Sequence, residues 1–112
     1  PTTEGKFKGK YLSGVFVDMF GTLVDKHGAV NDAVLRLVYE LAEKQSVTVF
    51  TDSDSKVVQA LLDQHEIPFN LASKLDLRGA ELETVIDDMT EEEFKQTYSI
   101  TPRCFISVSS IS

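Results

Sequence analysis

Short apolar runs alternate with longer amphipathic stretches along nearly the whole chain. Tyr11 to Val17 is rich in β-formers and stops at Asp18, and a stretch from about Val30 to Lys44 then places Val30, Val34, Leu37, Val38 and Leu41 on one helical face. Val47 to Phe50 is a short apolar run bounded by polar residues, which suits a buried strand with Thr51 at its exit. Asp52 to Ser55 offer several N-caps for a second helix, whose stripe is Val57, Val58, Leu61 and Leu62 and which ends before Pro68. Phe69 to Ala72 predicts a short third strand, and Leu82 to Ile86 a fourth that runs into Asp87 and Asp88. Thr90 and Glu93 have capping-box spacing, so a short helix starts there with Phe94 and Tyr98 one turn apart toward the core, and Pro102 closes it. Cys104 to Val108 is the last strand. Strands that alternate with helices in this way predict an α/β domain with a parallel sheet covered on both faces.

Composition narrows this picture. The 112 residues make one domain with one sizeable core, and no repeat or linker divides them. With 42% hydrophobic residues the chain is of ordinary globular type, and no apolar run approaches the roughly 20 residues that span a bilayer, so no membrane association is expected. Residues 1–10, PTTEGKFKGK, carry positive charge but lead into no secretory apolar core, and read as a polar lead-in. Cys104 is the single cysteine, which excludes an internal disulfide, and its setting in RCFISV predicts a buried, inert thiol. The net charge of -7, with no basic cluster, gives a surface field that repels nucleic acid. A reducing cytoplasm and a small-molecule or protein partner are expected.

The chemistry-bearing residues stand at strand exits. Ligands of an open parallel sheet bind beyond the carboxyl ends of its strands, where Asp18, Thr51, Lys74 and the pair Asp87 and Asp88 are predicted to meet. Hard carboxylate oxygens hold Mg²⁺, Lys and Thr hold phosphoryl oxygens, and one carboxylate is left to attack phosphorus. His27 and His65 are too few and too scattered for a zinc site. Glu91, Glu92 and Glu93 read as favourable charges in a first helical turn, and Met19 as a packing residue beside the site.

From Val15 to Val108 the order of these residues resembles the haloacid dehalogenase-like superfamily. Its first motif, an apolar strand followed by DxDGTLxD, is similar to Asp18-Met19-Phe20-Gly21-Thr22-Leu23-Val24-Asp25 at every defined position except Phe20. Thr51 after VTVF looks like the second motif, Lys74 in ASKLD like the third, and VIDDM with Asp87 and Asp88 like the acidic fourth. The resemblance implies a Rossmann-like, three-layer fold with a mainly parallel sheet and Asp18 on its central strand. It further implies an aspartyl-phosphate formed on Asp18, a phosphate-binding Thr51, a steadying Lys74, and Mg²⁺ held by Asp18, the Phe20 backbone carbonyl, Asp87 and Asp88. Arg78 is the rival of Lys74 for the basic role.

Members of that superfamily commonly carry a cap domain after the first motif or between the second and third. Neither gap has room for one here, so the resemblance points to the capless type. Such open sites take large phosphorylated substrates, including proteins, or borrow a lid from a protein partner or a second copy of the chain. Phe20 stands where the phosphatases hold a general acid/base, whose help is typically worth about 10²–10⁴ in rate. Three readings follow: a Mg²⁺-dependent phosphohydrolase or phosphotransferase of reduced activity, a catalytically silent binding or regulatory protein, and a haloacid dehalogenase. The last branch is similar in its DxYGTL motif, but it needs a cap and no metal.

Overall fold

The computed structural model describes residues 5–111; the first four residues of the lead-in lie outside them. Five strands and three α-helices follow in the order β1 (Tyr11–Asp18), α1 (Asp32–Ala42), β2 (Val47–Thr51), α2 (Ser55–Gln64), β3 (Asn70–Ser73), β4 (Glu81–Asp87), α3 (Glu91–Tyr98) and β5 (Thr101–Ser107), with a 3₁₀ turn at Val108–Ser110. All four pairings are parallel, and the strand order is β3-β2-β1-β4-β5. The sheet therefore grows outward from β1 in one direction through β2 and β3, then crosses back over β1 to continue with β4 and β5. That reversal makes the carboxyl ends of β1 and β4 the topological switch point of the sheet.

The side-chain alternation of β1 explains why it is central. Val15 and Val17 enter one core with Val47, Val49, Val34 and Val38 of α1, and Val58 and Leu62 of α2. Phe16 enters a second core with Phe50, Leu82 and Val85, and with Phe94 and Tyr98 of α3. Helices α1 and α2 thus lie on one face and α3 on the other, as right-handed crossovers in opposite directions require. Gly14, at φ 97°, sits where the β1–β4 register shifts between Leu12 and Val15, and a side chain there would collide with Ser46. No helix among the described residues is long and apolar enough to cross a membrane.

Several boundaries move for identifiable reasons. Helix α1 starts at Asp32 rather than Val30, because the Asn31 side chain caps it by accepting from the Val34 N–H at 3.2 Å, and Val30 instead bridges to Val24. Val57, assigned to the apolar stripe of α2, is 52% exposed, so that stripe narrows to Val58 and Leu62, flanked by Leu61. The capping box of α3 is present as expected, but the helix is closed by Ser99 in the left-handed conformation and not by Pro102. Pro102 lies inside β5, an edge strand, where a missing N–H is tolerated. Cys104 is exposed, against expectation. It shares a face with Ile106, and α1 and α2 contact β2 and β3 at the far side of that face.

Candidate functional site

Every residue of the expected set is a strand's last residue or follows one directly. Asp18 ends β1, Thr51 ends β2, Lys74 follows β3 and Asp87 ends β4. These four are buried, while Asp88 is exposed and opens the cluster to solvent. The Lys74 backbone N–H donates to the Thr51 carbonyl at 2.8 Å, which fixes the root of the lysine beside the end of β2. Its side chain then crosses over β2 and donates to Asp18 Oδ1 at 2.8 Å and Asp87 Oδ2 at 3.1 Å. Only a long, flexible stem reaches from β3 past an intervening strand to both β1 and β4.

The remaining carboxylate oxygens are also engaged. Thr22 donates its hydroxyl to Asp18 Oδ2 at 3.1 Å. Asp87 Oδ1 accepts from the backbone N–H of Asp88 at 2.7 Å and of Met89 at 3.4 Å. Thr51 Oγ1 accepts from the Ser53 N–H at 3.0 Å, which leaves its hydroxyl proton to donate elsewhere. Arg78 does not join the cluster. It is half-buried, and its carbonyl accepts from Gly5 N at 3.1 Å, so the basic residue of this site is Lys74.

The loop after β1 folds tightly enough to present Asp18. The N–H groups of Thr22 and Val24 both donate to the Met19 carbonyl, at 3.3 and 3.1 Å, and Gly21 N donates to the Val24 carbonyl at 2.7 Å. Gly21 has φ 86°, and a Cβ there would meet the Asp88 carboxylate, so backbone conformation and space both require glycine. Asp25 closes the outer turn by accepting from the N–H of His27 at 2.8 Å and of Ala29 at 3.0 Å. These backbone donors hold its carboxyl below the usual range. Met19 is fully buried in the helix-side core, and Phe20 packs half-buried at the edge of that core.

Burial sets the electrostatics of the cluster. It raises the Asp18 carboxyl above its ordinary value, with Lys74 acting in the opposite direction. Burial, the hydrogen bond with Asp88 and the charge of Asp18 push Asp87 up to about 7. For Lys74, burial disfavours the ammonium, but Asp18 and Asp87 outweigh it and the lysine holds its proton more tightly than usual. Lys74 faces the two buried carboxyls with the exposed Asp88 beside them, so that when these acids ionise the negative charge of the cluster exceeds the positive.

That surplus and the donor chemistry fit a hard divalent cation. Asp18, Asp87 and Asp88 each offer an oxygen within 4.8 Å of one another. Neither histidine takes part. His27 is exposed, and His65 Nε2 lies 3.0 Å from the Gly28 carbonyl oxygen. Sequence reasoning missed the surroundings of Lys74: its ammonium lies 4.4 Å from the ring centroid of Tyr98 and 4.8 Å from that of Phe50. The Tyr98 hydroxyl in turn donates to Asp52 Oδ2 at 2.9 Å. Periodicity placed Tyr98 in the core but carried no signal that its ring meets a cation.

No family model, curated protein or solved structure matches this chain. The functional reading therefore rests on the residues and their geometry.

Proposed function

We propose that the chain is a haloacid dehalogenase-like phosphohydrolase or phosphotransferase that depends on Mg²⁺ and acts through an aspartyl-phosphate on Asp18. The observation that carries this reading is the double engagement of Lys74, bonded to Asp18 and to Asp87 at the carboxyl ends of adjacent strands. Asp18, Asp87, Asp88 and the Phe20 backbone carbonyl would hold the metal. Once bound, Mg²⁺ would offset the repulsion between the Asp18 carboxylate and an anionic phosphoryl group.

The chain's own residues supply the rest. Lys74 and Thr22 hold the Asp18 carboxylate in one orientation, so that its attack on phosphorus needs little reorganisation. As the Asp18–phosphorus bond forms, the bond to the leaving group breaks and the leaving oxygen takes the electron pair. Lys74 has a third proton and Thr51 a free hydroxyl proton, and both can donate to phosphoryl oxygens as charge builds there. Phe20 offers no proton to the departing oxygen, which favours substrates whose leaving group is already a stable anion, such as an acyl or aryl phosphate. Water then attacks the aspartyl-phosphate and restores Asp18. The exposed Asp88, and the short described connections from Asp25 to α1 and from Thr51 to Lys74, suit a phosphoryl group on a bulky carrier, or a site covered by a protein partner or second copy. A lone, exposed Cys104 is compatible with a reducing, cytoplasmic setting.

One observation favours a second reading. Phe20 packs against the helix-side core in place of an acid, which suits a binding or regulatory protein that retains the site without turnover. A steady-state assay with a generic aryl phosphate separates the two. Metal-dependent release of the aryl alcohol, lost in Asp18→Asn, supports the enzyme; no release from protein that still binds Mg²⁺ supports the binder.

A further inference from the structure

We propose that Tyr98 is a positioning residue for Lys74: its ring, together with that of Phe50, holds the ammonium between Asp18 and Asp87, and its hydroxyl ties α3 to Asp52 beside Thr51. The functional consequence rests on the phosphoryl-transfer reading above; the geometry does not.

Lysine is a poor residue for fixed geometry, because a compact charge rides on a stem with several rotatable bonds. Two carboxylates attract that charge without confining it. In this site the ammonium is also flanked by aromatic faces, with Nζ 4.4 Å from the Tyr98 centroid and 4.8 Å from that of Phe50. Such faces attract a cation and exclude water, and the Tyr98 hydroxyl also interacts with the ammonium. Both rings are themselves braced. Phe94 lies 5.8 Å from Phe50 and 5.4 Å from Tyr98, centroid to centroid, so the three form one packed unit beneath the lysine.

Tyr98 is also where α3 is anchored. The helix ends at this residue because Ser99 turns into the left-handed conformation, and the Ser99 carbonyl accepts from Gly79 N at 2.7 Å. Gly79 belongs to the connection that begins with Lys74. On the other side, the Tyr98 hydroxyl bonds Asp52, which follows Thr51 in the chain. A ring that only filled core volume would need neither the cation nor the carboxylate. Tyr98 thus links the carrier of the ammonium to the carrier of the hydroxyl, the two groups assigned to phosphoryl oxygens.

The test compares wild type, Tyr98→Phe and Tyr98→Leu in the full chain, with Lys74→Met to assign the lysine signal. Proton–carbon NMR of the lysine side chains should find the Lys74 Hε protons shifted upfield of the other lysines by the ring currents. Tyr98→Phe should keep most of that shift, and Tyr98→Leu should lose a large part of it. Orthovanadate, titrated in the presence of Mg²⁺, should bind about tenfold more weakly to Tyr98→Leu and within roughly threefold of wild type to Tyr98→Phe.

An unshifted Lys74 Hε in the wild type overturns the clamp without recourse to any variant, and so remains decisive if Tyr98→Leu does not fold. A folded Tyr98→Leu that binds orthovanadate like wild type overturns the positioning role, and a loss of the shift in Tyr98→Phe equal to that in Tyr98→Leu overturns the role of the ring. If the wild type binds no orthovanadate, the phosphoryl-transfer reading fails and takes the functional half of this proposal with it, while the shift pattern still decides the clamp.

Discussion

Replacing Lys74 by methionine keeps the length and apolar character of the stem and removes the cation that pairs with Asp18 and Asp87. All three residues are buried, with Lys74 at 2%, Asp18 at 6% and Asp87 at 1% exposure, so solvent cannot take over the lost interaction. Removing one partner of a buried ion pair costs about 3–5 kcal/mol when the other charge stays behind. That range is expected at pH 8, against a total stability of about 5–15 kcal/mol for a domain of this kind.

The cost should shrink in acid, and its sign follows from linkage. Folding already raises Asp18, and raises Asp87 to about 7, above the values of the unfolded chain. Groups raised in this way contribute stability that is fully present below the unfolded value and is lost as pH rises through the folded value. Lys74 opposes the rise at both acids, so its removal lifts them further and carries the loss of stability on to higher pH. At pH 5, below the value of about 7 for Asp87, that carboxyl is protonated and the lost charge interaction is weaker, so the expected cost falls to on the order of 1–2 kcal/mol. Urea denaturation followed by circular dichroism at pH 5 and pH 8 measures both values. A cost below about 1 kcal/mol at both pH values, or one that does not grow with pH, refutes the description of Lys74 as a buried counter-charge.

Three further outcomes follow from the site. Saturating Mg²⁺ should raise the melting temperature, and the double change Asp87→Asn with Asp88→Asn should abolish that rise; an undiminished rise would place the metal elsewhere. Gly21→Ala forces a side chain into a conformation at φ 86° and toward the Asp88 carboxylate. It should cost about 1–3 kcal/mol and reduce the Mg²⁺-induced stabilisation, as calorimetry with and without metal can show. Phe20→Asp restores a proton carrier, so hydrolysis of an ester with a poor leaving group should rise by roughly 10²-fold or more, while an acyl phosphate gains much less. The variant's folding must be verified first, and no gain with either substrate in folded, Mg²⁺-binding protein favours the silent binder.

The strand exits were legible because each is marked twice, by the end of an apolar run and by a polar residue placed on it. Asp18 and Asp87 illustrate this: parallel alternation puts β1 and β4 in one sheet, and both strands end at the same edge. That Lys74 would reach past β2 to join them was legible only as chemistry, from a cation near two acids, and the choice over Arg78 needed coordinates. Tyr98 shows what pattern cannot carry. Its spacing from Phe94 identifies a core face, but the partner of a ring depends on which loop the fold brings beneath it. Pro102 and Cys104 depart from the sequence expectation for one physical reason, the position of β5 at the edge of the sheet. Local rules for proline and burial invert there, because one side of the backbone and part of one face lie open to water.

The central claim is that Asp18 carries a phosphoryl group, and intact-protein mass spectrometry after rapid acid quench tests it most directly. Incubation with acetyl phosphate and Mg²⁺ should add the mass of a single phosphoryl group, removable by hydroxylamine as an acyl phosphate is, mapped to the peptide holding Asp18 and missing from Asp18→Asn. An adduct that persists in Asp18→Asn, or no adduct on protein shown to bind Mg²⁺, contradicts the account.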